Sequence, residues 1–120
     1  MIELRDGWKL HVDTSPDWLF FNVEAPSHRA MGEPPIAEAV AREIATTGVK
    51  RVVMDFNDNV MLFSYLVGQI ISLHKRLLME GGAFRICGLS EENADVLKVL
   101  HLNDRLPNYR DRGAAVMGHL

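Results

Sequence analysis

The chain has 120 residues, a formal charge of −3 from 13 basic and 16 acidic side chains, and 48% hydrophobic residues. That suits one domain, since a domain of this size buries roughly two-thirds of the surface its unfolded form exposes. The charges are interspersed and the cysteine is single, which argues against a nucleic-acid stripe, an anionic-membrane patch, an intramolecular disulfide and paired-thiolate zinc sites.

The opening MIELRDGWKL lacks the long apolar core of a signal peptide, and no apolar run approaches the roughly 20 residues that span a bilayer, so a cytoplasmic protein is expected. WKLHV and WLFFNVEA carry aromatic and β-branched residues around the turn residues TSPD, which predicts a β-hairpin over residues 8–25. PSHRAMGEPP reads as a loop. Pro34 or Pro35 then opens a helix, where a missing N–H costs nothing, and Gly48 is its expected stop. Within IAEAVAREIATTG, Ile36, Val40 and Ile44 share one face, and Glu38 and Arg42 form an i,i+4 ion pair.

RVVMDF, residues 51–56, is a short β-branched run of the kind buried in a parallel sheet, and NDN after it favours a turn. A second helix is expected from Ser64, with Leu66, Ile70, Leu73 and Leu77 inward and glycines 81 and 82 at its end. Ser64 reads as its N-cap, so Ser64→Ala is expected to cost about 1 kcal/mol. AFRICGL gives another strand, with Cys87 a small buried hydrophobe. SEENADVLKVLHL starts a third helix on an N-cap serine with two glutamates at the dipole's positive end. RLPNYR is a short edge strand and DRGAAVMGHL a marginal last helix interrupted by Gly113. Strands alternating with helices imply parallel neighbours joined by right-handed crossovers. The expected fold is one α/β domain over residues 1–120: a mixed, mostly parallel sheet with an N-terminal hairpin and about four helices, packed mainly on one face.

GxGxxG, GxxxxGK[ST], HExxH and GxSxG are all absent, which lowers the odds of an enzyme, and no cofactor is expected. His11, His28, His74, His101 and His119 are scattered without metal-ligand spacing and read as structural or surface residues. Asp55 at a strand end, with Asp58 nearby, has the placement of a magnesium or phosphoryl site. A receiver domain, which such a placement resembles, also needs an acidic pair after its first strand and a lysine after a late one; here Asp13 and Asp17 flank a hairpin turn, no lysine follows the late strand suitably, and Asp58 reads as a turn residue.

Taken in order, VVMDF, NDNVML, FSYLVG opening a helix, GG, and AFRICGLSEENADVLKVLHL resemble the STAS domain of bacterial anti-sigma factor antagonists. The resemblance runs from Val52 to Val116, and LNDRLPNYRDRGAAV is similar to that family's closing stretch. It implies a signal-transduction role in transcription regulation without catalysis. The expected partner is a protein, an anti-sigma factor that is also a serine kinase, with no nucleic acid and no membrane. The family opens this helix with Asp-Ser-Ser-Gly-Leu-Gly and is phosphorylated on the second serine. Matched to that motif, Phe63 stands for the aspartate, Ser64 for the first serine, Tyr65 for the phosphorylated serine and Gly68 for the last glycine. A serine kinase cannot use Tyr65, so the resemblance implies a partner surface without the usual switch. The expected surface comprises Asn57, Asp58, Phe63, Ser64, Tyr65, Gly68, Gln69, Ser72 and Arg76, with Ser64 the candidate phosphorylation site. The alternative is a small-anion or nucleotide domain using the helix N-terminus at Ser64. A homodimer through the first strands is left open.

Overall fold

The structure is a computed structural model that describes residues 1–27, 31–56 and 60–119. The hairpin forms where turn chemistry and alternation place it: β2 (Lys9–Thr14) and β3 (Leu19–Glu24) are antiparallel, with Leu10 opposite Val23 and Val12 opposite Phe21. A two-residue strand, β1 (Ile2–Glu3), precedes them and pairs antiparallel with β2. It was not expected, because two residues are too few to display a period.

The crossovers then build the parallel part. β4 (Arg51–Phe56) lies between β3 and β5 (Ala83–Cys87), and β6 (Asn108–Tyr109) closes the far edge, so six strands run in spatial order 1 to 6 with the last three pairings parallel. The helices are α1 (Ile36–Thr47), α2 (Ser64–Met79), α3 (Glu91–Val99) and α4 (Arg112–Met117). Pro35 is the N-cap of α1 and its carbonyl accepts from the Ala39 N–H at 3.1 Å; the helix ends on a left-handed Gly48. Glu38 and Arg42 pair at 2.7 Å, as their spacing predicts.

Alternation along the strands sorts side chains onto two faces. Leu19, Phe21, Val23, Val52, Met54, Phe56, Phe84 and Ile86 form the main core, joined by Ile36, Val40 and Ile44 of α1, by Leu66, Ile70, Leu73 and Leu77 of α2, and by Leu97 of α3. The opposite face carries a smaller cluster of Trp18, Val53, Cys87 and Tyr109 under Ala115 of α4. Three helices thus cover one face and the short last helix the other. Burial, reinforced by the Asp55 carboxylate, pushes the Cys87 thiol up to about 12, so it behaves as an inert apolar residue.

The turn from α2 into β5 depends on Gly82. A Cβ there would lie 2.1 Å from the Lys50 carbonyl oxygen, the same oxygen that accepts the Ala83 N–H. Among the described residues no helix is long and apolar enough to cross a membrane.

Candidate functional site

The start of α2 is fixed from two directions. From α3, the buried Asn93 reaches across: its Oδ1 accepts the Leu62 N–H at 3.0 Å and its Nδ2 donates to the Val60 carbonyl at 2.9 Å. Those two bonds take up backbone groups of an irregular segment that would otherwise be buried unpaired. From the other direction come aromatic contacts. Phe63, extended at φ −97° and ψ 172°, is the N-cap residue, and its carbonyl accepts the Val67 N–H at 3.1 Å. Its ring lies 6.4 Å from that of Trp8 and 6.4 Å from that of Tyr65, the latter pair stacked at 23°.

One consequence corrects the sequence reading of Ser64. Because Phe63 holds the extended cap geometry, Ser64 is already the first helical residue, and no side chain caps this helix. The Ser64 side chain is exposed, with no hydrogen bond to any described residue. Ser90, by contrast, sits at φ −62° and ψ 160° and accepts the Asn93 N–H, as expected of an N-cap.

The expected partner residues on α2 divide into those engaged with the N-terminal segment and α1 and those exposed to solvent. Phe63, Tyr65 and Gln69 turn toward the N-terminal segment and α1. The half-buried Tyr65 donates its hydroxyl to the Pro34 carbonyl at 2.9 Å, and Gln69 Oε1 accepts the Ala37 N–H in the first turn of α1 at 2.9 Å. Burial, with Glu33 nearby, raises the Tyr65 pKa against an opposing pull from Arg5. Ser64, Gly68, Ser72 and Arg76 are all exposed; at four-residue spacing they wind across the solvent face, from the groove edge at Ser64 round to the sector beside Tyr65 and Gln69. Arg76 pairs with Glu80 at 3.3 Å, one turn further on. Asn57 and Asp58 lie outside the described residues.

Gly68 is the informative member of this stripe. It lies inside a sixteen-residue helix with no positive φ, and an added Cβ would meet nothing within 4 Å. An interior helical glycine costs about 1 kcal/mol relative to alanine, so the fold is less stable for having it and does not need it.

Beside the stripe lies a groove between α2 and α3, about 400 Å³ in volume. Leu62, Ser64 and Val67 form one wall and Glu92, Asp95, Val96, Val99 and Leu100 the other. The two carboxylates disfavour an anion at this end of α2.

The other chemical candidates are engaged elsewhere. Asp55 projects to the face that carries α4, where it accepts from Asn22 Nδ2 and from Arg112 Nε, the latter at 2.7 Å. Arg112 also reaches Asp13 at 2.7 Å and lies over the Phe20 ring, 5.3 Å from its centroid. The strand-end aspartate therefore anchors α4 to the sheet. Its expected neighbour Asp58 is outside the described residues. Among the described residues no three His, Cys, Asp or Glu side chains are grouped to hold a metal ion. His11 pairs with Glu24 at 2.8 Å, while the half-buried His74 packs near Phe84 with Nδ1 unpartnered among the described residues. Burial and the proximity of Arg105 lower the His74 pKa.

Sequence reasoning missed Asn93, Trp8 and Pro34, which position the surface residues. A signal existed for Asn93: it lies four residues before Leu97 on the inward face of an amphipathic helix, where an amide must find backbone partners.

The fold agrees with that of known proteins. The STAS domain family model matches residues 30–115. Among solved structures, an anti-sigma factor antagonist from Mycobacterium paratuberculosis superposes with a TM-score of 0.74 at 16% identity, covering 98% of this chain and 97% of that one. A STAS domain protein from Planctomyces limnophilus gives a TM-score of 0.70 at 21% identity, covering 91% and 96%. The antagonist SpoIIAA in its unphosphorylated form gives 0.61 at 13% identity, covering 93% and 99%. No curated protein matches the chain significantly. With the family model spanning most of the sequence and the fold superposing on these structures, the chain belongs to the STAS domain family.

Proposed function

We propose that this chain is a non-enzymatic regulatory module that acts as an anti-sigma factor antagonist, binding a protein partner through the exposed side of α2. Gly68 carries the reading. An interior helical glycine that the fold does not require, on an exposed stripe with Ser64, Ser72 and Arg76, lets a second backbone approach the helix closely. Membership in the STAS family and the antagonists among its structural relatives support an anti-sigma factor as the class of partner, which this reading takes to be of the serine-kinase type. The reading places the chain in the bacterial cytoplasm and takes residues 1–120 as one domain. Asn57 and Asp58, outside the described residues, are taken as part of the same contact.

In this reading Phe63, Tyr65 and Gln69 hold α2 in place for the partner. Tyr65 takes the position of the family's phosphorylated serine with its hydroxyl committed to the Pro34 carbonyl, so binding here is not switched at that position. Ser64 is a contact residue that stays unmodified. The small-anion alternative has no comparable support, because Glu92 and Asp95 line the groove next to Ser64.

Calorimetric titration against the anti-sigma factors of the source organism tests this, followed by mass spectrometry of the chain after incubation with the binding factor and ATP. Expected are saturable binding to one factor, its loss on Ser72→Arg, and no phosphate on Ser64 or Tyr65. Absence of binding to every anti-sigma factor would remove the antagonist role, and phosphate on Ser64 would restore a switch one residue from its usual place.

A further inference from the structure

We propose that the groove between α2 and α3 seats a short amphipathic helix of the partner, apolar on its buried face and carrying Lys or Arg along the edge beside α3. This rests on the regulatory reading above and adds to it the chemistry of the contacting segment. The groove floor and walls are apolar: Leu62 and Val67 from the α2 side, and Val96, Val99 and Leu100 from the α3 side. Val99 and Leu100 are 75% and 48% exposed, a pair of neighbouring aliphatic side chains left in water on one wall of a concave surface.

Charge selects the occupant. Glu92, Asp95, Val96 and Val99 follow three- and four-residue spacing along one side of α3, so two carboxylates border the first half of the groove and aliphatic side chains the second. Among the described residues, no basic side chain lines the groove to neutralise them. A second copy of this chain would bring the same two carboxylates against them, and a fatty-acid carboxylate would meet the same repulsion. A helix with apolar anchors at i, i+3 or i+4 and i+7 and a basic flank satisfies both features. Length is consistent too: the nine residues of α3 span about 13 Å, which matches two to three turns of such a helix.

The test uses two stapled twelve-residue peptides with identical leucine faces, one with a lysine flank and one with a glutamate flank, titrated into the isotope-labelled chain and followed by amide chemical shifts. Expected is saturable binding of the lysine peptide, with shifts at Val67, Val96, Val99 and Leu100, and at least tenfold weaker binding of the glutamate peptide. Glu92→Gln combined with Asp95→Asn is expected to weaken the lysine peptide about tenfold and reduce its salt dependence. Both side chains are exposed, so the fold is not at risk; Val99→Asn, also at an exposed position, serves as the apolar counterpart. Equal binding of the two peptides, shifts confined to other surfaces, or indifference to all three substitutions would overturn the proposal. So would self-association through the groove in the absence of peptide. If the variants leave anti-sigma factor binding intact while Ser72→Arg abolishes it, the groove proposal fails and the regulatory reading survives. If no anti-sigma factor binds while the peptide results hold, the reverse is true.

Discussion

The part of α2 turned to α1 and the part turned to solvent are used in opposite ways. Toward α1, Tyr65 and Gln69 spend their polar groups on backbone partners at Pro34 and Ala37, and the Phe63 ring lies between those of Trp8 and Tyr65. Across the solvent face, Ser64 and Ser72 leave their hydroxyls in water and Gly68 adds only backbone, and the groove toward α3 leaves aliphatic side chains uncovered. The first part is organised for stability. The second carries a glycine that lowers stability and an exposed apolar surface, the two features on which the proposed partner surface rests.

That contrast can be broken most forcefully at its base. Asn93→Ala strips the Leu62 N–H and the Val60 carbonyl of their partners and is expected to cost about 3 kcal/mol in urea denaturation, from two buried backbone groups left unpaired. A loss below about 1 kcal/mol would mean that the entry to α2 is held by something else.

Next in size is Tyr65→Phe, which removes one half-buried hydrogen bond and is expected to cost about 1 kcal/mol at neutral pH. It carries a pH signature as well. The folded-state pKa of Tyr65 is raised above its ordinary value of 10.0, so the unfolded chain releases this proton first as pH rises. The stability tied to the neutral phenol is present below 10.0 and is lost as pH climbs through the higher folded-state value; Tyr65→Phe should flatten that part of the alkaline stability profile. An unchanged alkaline limb in the variant would contradict the assignment.

The smallest effect is on the open side. Ser64→Ala should change stability by less than about 0.5 kcal/mol, as for an exposed residue with no partner. Ser90→Ala, which removes a formed cap, should cost about 1 kcal/mol. Equal costs at the two serines would show that Ser64 caps α2 after all.

The two serines also show what the sequence could convey. β4 appears with the bounds Arg51–Phe56 that its β-branched run implies, and α3 begins at the Ser90 cap, because period and capping are local properties. Ser64 looked equivalent to Ser90. Its role was decided by Phe63, which takes the extended cap conformation beside Trp8, 55 positions earlier in the chain. The division of the expected surface has the same origin: the Tyr65–Pro34 and Gln69–Ala37 bonds span 31 and 32 residues, and no local pattern announces them. The exposed four-residue recurrence of Ser64, Gly68, Ser72 and Arg76, on the other hand, was present in the helical period of the sequence. What the sequence lacked was the reason to separate that recurrence from its neighbours.

The most direct measurement is Gly68→Gln, read for stability and for partner binding on the same preparation. The account predicts opposite signs: stability higher by about 0.5 to 1 kcal/mol, because a good helix former replaces an interior glycine with open space around it, and affinity for the anti-sigma factor at least tenfold lower. Higher stability with undiminished binding would contradict the claim that the exposed side of α2 is the partner surface.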